Sequence, residues 1–281
     1  MALPLRDDAT PTRVPWVTYS LILVNVVVFL FLQPSALQGG ATENEGLGGT
    51  DATEVSEFFY KWGAVPCEIQ HLAPLEEGIR CEGDREAGAP SVDGKIVLLS
   101  VLTCMFIHGS LLHLAGNMLF LWVFGATVED RVGPVPYVAL YLATGIVATL
   151  GHAAANWDDA VPALGASGAI AGIMGAHLVF RPRGRVLSLV FWTVVYVPAW
   201  VLLGLFFVTQ FFIPDSEGVA WVAHAAGMVA GFLAALVLAR FFRDPSAARP
   251  SRASAASPST WVLPEAPPIA APSSGTGSGS T

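Results

Sequence analysis

Four side chains able to do acyl-transfer chemistry sit in stretches otherwise built of Leu, Val, Ala and Gly. They are His113 and Asn117 in FIHGSLLHLAGN, Ser167 in GASGAIAG and His224 in AWVAHAAG. Polar and ionisable groups inside apolar spans are costly to keep there and mark function by default. A serine hydroxyl within about 3 Å of a neutral imidazole is a nucleophile with its general base. No Asp or Glu lies within these stretches, so the pattern points to a Ser167–His224 dyad and not a triad. His113 and Asn117, four residues apart, project from one helix face. Together with the Ser167 backbone N–H they are donors suited to a developing oxyanion. Two other hydrolase readings fail: no H-E-x-x-H is present, and GASGA is not the G-x-S-x-G elbow. The three cysteines show no metal-ligand spacing, so neither metal nor cofactor is expected.

The elements that must position these groups are membrane helices. The 281 residues are 53% hydrophobic and 13% charged, with a mean hydropathy of +0.58, where a soluble domain carries about a quarter charged residues. Six apolar stretches approach the roughly 20 residues that a span needs: Trp16 to Leu32, Leu111 to Thr127, Tyr137 to Ala155, Ser167 to Phe180, Val186 to Phe212 and Gly218 to Leu238. Ile96 to Ile107 is too short to cross and is expected to dip into the membrane. From Arg181 back to Ser167 is fourteen residues, roughly 21 Å of helix. From Arg240 back to His224 is sixteen, roughly 24 Å. His113 and Asn117, counted from Glu129, fall roughly 24 and 18 Å deep. The four groups therefore share one level. Gly165, Gly168, Gly172 and Gly175 on one helix, and Ala223, Gly227 and Gly231 on another, give the small-residue faces that let membrane helices approach closely. Ordinary packing accounts for such glycines taken alone; the shared depth turns the reading toward catalysis.

Six spans put both termini on one side, together with the loops EDRVGP and RPRGR. That side holds ten of the fourteen Lys and Arg residues, so it is expected to be cytoplasmic. The expected organisation is a cytoplasmic segment 1–15, a six-span domain 16–242 containing a long external loop 33–95, and a disordered Pro/Ser/Ala/Gly-rich tail 243–281. Cys67 and Cys81 fall in the external loop, where disulfides persist, and their spacing is compatible with a bridge and with two free thiols alike. His108, ahead of the second span, is expected to buttress the loop. His152 is a weaker rival to His224, and His177 is too far along its helix to take part.

These motifs are similar to those of rhomboid intramembrane serine proteases. The resemblance covers residues 16–242 and rests on His108, His113 and Asn117 at the family's spacing, GASG around Ser167, and His224 followed by Gly227 and Gly231. The run Gly125, Glu129, Gly133 is also family-like. It implies an all-α polytopic bundle of six transmembrane helices, with Ser167 and His224 as dyad and His113, Asn117 and the Ser167 amide as oxyanion hole. Structural support would come from His108, Gly165, Gly168, Gly227 and Gly231, and the fifth helix would gate substrate entry. Single-span membrane proteins are the implied substrates and lipid the surroundings, with no role for nucleic acid, and a bacterial inner membrane is the expected location. Where some members place an aromatic residue four after the serine, this chain has Ala171, so no ring reaches His224 from there. A non-catalytic protein that binds membrane clients is the alternative.

Overall fold

The computed structural model describes residues 2–9, 11–34, 52–75, 81, 90, 92–210 and 221–242. The tail 243–281 and much of the first loop lie outside the described residues, as does the expected junction between the last two spans. In chain order the elements are β1 (Ala2–Asp7), α1 (Trp16–Leu32), α2 (Ala52–Trp62), α3 (Pro66–His71), α4 (Val97–Phe106), α5 (Leu111–Val132), α6 (Pro134–Ala155), α7 (Ser167–Phe180), β2 (Arg185–Val190), β3 (Thr193–Pro198), α8 (Ala199–Gln210) and α9 (Trp221–Leu238). Among the described residues α5, α6 and α9 are long and apolar enough to cross a membrane, while α1, α4, α7 and α8 are shorter apolar helices. Leu23, Phe31, Leu112, Val135, Leu150 and Leu233 stand exposed on their outer faces, the surface that lipid covers.

Two expectations are corrected. The sequence reading places a fifth span from Val186 to Phe212, but residues 185–198 form the β2–β3 hairpin and the helix begins at Ala199. The run VLSLVFWTVVYVP is dense in β-branched and aromatic residues, which suit a pleated surface better than a helix. The bundle is also expected to be all-α, but β1 in the N-terminal segment pairs antiparallel with β2, completing a sheet of order β1-β2-β3. The fold is therefore helical with a small sheet, and not all-α.

The helix ends are secured by side chains. Ser110 caps α5 by accepting the His113 N–H at 3.1 Å. α6 opens on Pro134, whose missing N–H costs nothing in a first turn, after Gly133 at φ +83°, where L residues are disfavoured. Glu129 accepts the backbone N–H groups of Val17 and Thr18 at 2.9 and 2.8 Å and the Thr18 hydroxyl at 2.7 Å. A buried carboxylate on α5 thus satisfies the orphan donors at the start of α1.

α7 and α9 form the centre of the bundle. A Cβ on Gly227 or Gly231 would run into the backbone of Gly168 or Gly172, and one on Gly175 into that of Met228. Such contact between backbones requires glycine and brings the two helices to their closest approach. On its other side Gly172 packs against Thr144 of α6, and Gly168 against Ala148.

The described part of the first loop builds a second small core around Tyr60, Val65, Leu75 and Ala160. Cys67 and Cys81 are joined by a disulfide with Cα atoms 6.0 Å apart. The Lys95 ammonium, fully buried, ion-pairs with Glu68 and donates to the Tyr60 and Gly63 carbonyls, 3.0 Å for the latter. Ala64 and Ala163 exchange backbone hydrogen bonds at 3.1 and 2.8 Å, which ties this unit to the segment leading into α7.

Candidate active site

Ser167 is the first residue of α7, and His224 lies one turn into α9. Their side chains meet, with His224 Nε2 2.7 Å from Ser167 Oγ. The close contact between α7 and α9 makes this reach possible for two short side chains. His224 is buried and Ser167 is half-buried, so the pair is largely screened from solvent yet open on the serine side.

Gly165 shapes the approach to Ser167. It holds φ +115° and donates its N–H to the Cys104 carbonyl at 2.8 Å. A Cβ there would fall 2.9 Å from the His113 ring and 3.8 Å from Ser167 Oγ. Gly165 therefore brings His113 beside the serine, in a conformation that a residue with a side chain adopts only under strain. Asn117 follows one turn along α5, buried, its amide donating to the His113 carbonyl at 3.0 Å. The His108 ring packs edge-on against His113 with centroids 5.2 Å apart, and its backbone is clasped by Gln33, which accepts its N–H at 3.1 Å and donates to its carbonyl at 2.5 Å. Behind Ser167 lies a cavity of about 30 Å³ lined in part by Cys104, Thr149, His152 and Gly168, room enough for a water molecule or two.

A polar serine–histidine pair is thus set between glycine-packed apolar helices. The model of the Rhomboid domain matches residues 97–241, slightly more than half of the chain. The chain belongs to the rhomboid family. Rhomboid protease GluP of Bacillus subtilis (strain 168) is 34% identical over 139 residues, 49% of this chain and 25% of that protein. The presenilin-associated rhomboid-like protein, mitochondrial, of Bos taurus is 33% identical over 99 residues, 34% of this chain and 26% of the relative. RHOMBOID-like protein 5 of Arabidopsis thaliana is 24% identical over 240 residues, covering 81% of this chain and 70% of its own length. The chain thus spans about a quarter of the mitochondrial and Bacillus relatives.

Several contacts of this rhomboid-family chain escape a reading of the sequence alone. Phe206 of α8 lies beside His224, its ring tilted by 45° with centroids 6.1 Å apart, so the aromatic neighbour that Ala171 does not supply comes from another helix. His152 bonds Asn156 at 3.1 Å and lines the cavity by Ser167 without touching the serine hydroxyl. His177, at the far end of α7, is engaged elsewhere: its Nε2 is 2.7 Å from Asp7 Oδ2, which also accepts the Thr127 hydroxyl at 2.8 Å. Arg181 reaches Asp8 at 2.5 Å. Asp7 and Asp8 gave no signal beyond their charge, because their partners lie about 120 to 170 residues away.

Proposed function

We propose that this rhomboid-family protein is an intramembrane serine endopeptidase that cleaves single-span membrane proteins near the outer membrane face. The observation that carries this reading is the 2.7 Å contact between Ser167 Oγ and His224 Nε2 inside the helical bundle. In the reaction the Ser167 hydroxyl attacks the scissile carbonyl while His224 Nε2 takes its proton. The carbonyl oxygen becomes an oxyanion, for which His113, Asn117 and the Ser167 N–H are the donors. Collapse breaks the C–N bond, and His224 returns the proton to the leaving amine. Water then attacks the acyl-serine with His224 as base again, releasing a carboxylic acid and restoring the hydroxyl. The small cavity behind Ser167 suits that water. Glycines and alanines crowd the serine, which favours a small residue on the acyl side of the cleaved bond.

The reading places both termini in the cytoplasm of a bacterium and the pair toward the opposite face. In its favour, Asp7, Thr127, Glu129, His177 and Arg181 gather at one end of the bundle, the end toward which the arginine-rich loops are drawn.

The test is purified protein treated with a fluorophosphonate probe and mapped by mass spectrometry, alongside cleavage of a membrane reporter. The expected result is modification of Ser167, with cleavage abolished in both Ser167→Ala and His224→Ala proteins that still fold. Cleavage that survives Ser167→Ala would sink the assignment. An unreactive Ser167 in a folded protein that still captures the reporter would favour the client-binding alternative.

A further inference from the structure

The β1-β2-β3 sheet has a largely apolar outward face. The register pairs Leu3 with Leu189 and Val194, and Arg6 with Leu187 and Tyr196, and residues paired across strands share a face. The opposite face, with Pro4, Asp7, Val186 and Ser188, is buried against the bundle. An antiparallel sheet with one face in water alternates apolar and polar residues; here the outward face is mostly Leu, Val and Tyr. The hairpin turn adds Phe191 and Trp192, 76% and 96% exposed. Phe191 sits at φ +53°, a turn position that Gly or Asn ordinarily takes. Backbone strain is thus accepted here to present an aromatic tip.

We propose that this hairpin is a lipid-seated element, its turn and outward face resting in the boundary between headgroups and acyl chains on the arginine-rich side of the bilayer. β1 sets the direction. Its Asp7 end is held by Thr127 of α5 and His177 of α7, yet the strand also packs along Leu111–Phe120 and Leu121–Gly125 of α5. Those segments lie deeper in the span than Thr127, and Ala2, at the other end of the strand, pairs with Val190 beside the turn. With its Asp7 end held beside Thr127, the proposed seating has the hairpin fold back along the bundle, tip toward the membrane.

Its polarity runs the same way. Arg183, Arg185 and Arg6 cluster at the base, where exposed guanidinium groups meet lipid phosphates. Phe191 and Trp192 form the tip, while Tyr196 stands on the outward face level with Arg6, and Trp and Tyr are the residues that settle at membrane interfaces. The chain runs directly from β3 into α8, whose Trp200, Val201, Leu205 and Val208 are exposed apolar residues as well. Depth is limited by β3, an edge strand in the sheet. Unpaired edge groups are not tolerated in hydrocarbon but are hydrated at the boundary, so the seat is about 5–10 Å deep, as for an interfacial helix.

Spin labelling tests this. Cys104 is buried and Cys67 and Cys81 are bridged, so Trp192→Cys takes a single nitroxide in protein reconstituted into phosphatidylcholine and phosphatidylglycerol vesicles. Collision rates with oxygen, which partitions into lipid, and with a water-soluble nickel chelate are compared with those at Arg183→Cys. The oxygen-to-nickel ratio is expected to be several-fold higher at position 192. Should the turn variant fail to fold, Val194→Cys on the outward face gives the same reading. Equal ratios at the two sites place the tip in water and overturn the proposal. Dipolar broadening that vanishes when labelled protein is diluted with unlabelled protein would show a second copy covering the face, and overturns it equally.

Discussion

Replacing Gly231 by alanine probes the contact on which the Ser167–His224 geometry depends. A Cβ at Gly231 would lie 2.6 Å from Gly172 Cα and closer still to its carbonyl oxygen, whereas carbons in ordinary contact are about 3.5–4.0 Å apart. Both sides of this contact are backbone, with no flexible side-chain end to yield, so α7 and α9 must part by roughly 1 Å. Carried to the other end of the pair, that shift takes the 2.7 Å Ser167–His224 contact to about 3.7 Å, outside hydrogen-bonding range. Overpacking of this kind typically costs about 1–3 kcal/mol, and loss of a positioned base lowers rates by about 10²–10⁴. Gly204→Ala on α8 is the matched control, since nothing lies within 4 Å of its Cβ position. Helix propensity favours alanine at both sites by about 1 kcal/mol, so the difference between the two variants isolates the packing. The assay is unfolding in mixed detergent followed by circular dichroism, paired with the rate of probe labelling at Ser167. A Gly231→Ala protein that unfolds and labels like the parent would refute the reasoning, because the helices would then have room the geometry denies them.

Other substitutions separate the roles proposed above. His113→Ala and Asn117→Ala are each expected to slow turnover by about 10²–10³ with little change in KM; an effect on KM alone, read in reporter kinetics, would make the residue a substrate contact. Lys95→Met leaves the Glu68 carboxylate buried without its cation and is expected to destabilise the loop unit by about 3–5 kcal/mol, with much of the loss recovered in a Lys95→Met, Glu68→Gln double variant; thermal unfolding of the two proteins decides it. Burial alone would raise the Asp7 carboxyl pKa, but the hydrogen bond and charge of His177, with the Ala9 N–H, hold it well below the usual carboxylate range. A carboxyl depressed on folding adds stability that is present above about pH 4 and is lost as pH falls through its folded value. Asp7→Asn should therefore flatten the acid side of a stability-against-pH curve; an unchanged acid limb would show that the pair does not couple to folding.

How much could be read in advance depends on what each residue type can hide. Ser167, His224, His113 and Asn117 stood out because a polar group in an apolar span has few reasons to be there. The four-residue glycine spacing announced the α7–α9 contact before any coordinates. The Cys67–Cys81 bridge was legible only as a possibility, since spacing says nothing of bond geometry. Glu129 is different: as a charge at a helix end it reads as a solvated loop residue, and only the fold shows that it caps α1. The hairpin is the most instructive miss. Hydropathy measures the cost of leaving water and is blind to backbone geometry, so Val186 to Phe212 passes as one long span although strand and helix divide it. Residue-type periodicity does not reveal it either. Buried Val186 and Ser188 alternate with more exposed Arg185, Leu187 and Leu189, so the period of two of a strand shows in burial, while the apolar leucines face outward and the serine inward. The strand partner that would have confirmed it, β1, begins about 180 residues earlier. A window sliding along the chain cannot see that pairing, and the short, ordinary-looking segment at the N-terminus gives no hint that it completes a sheet.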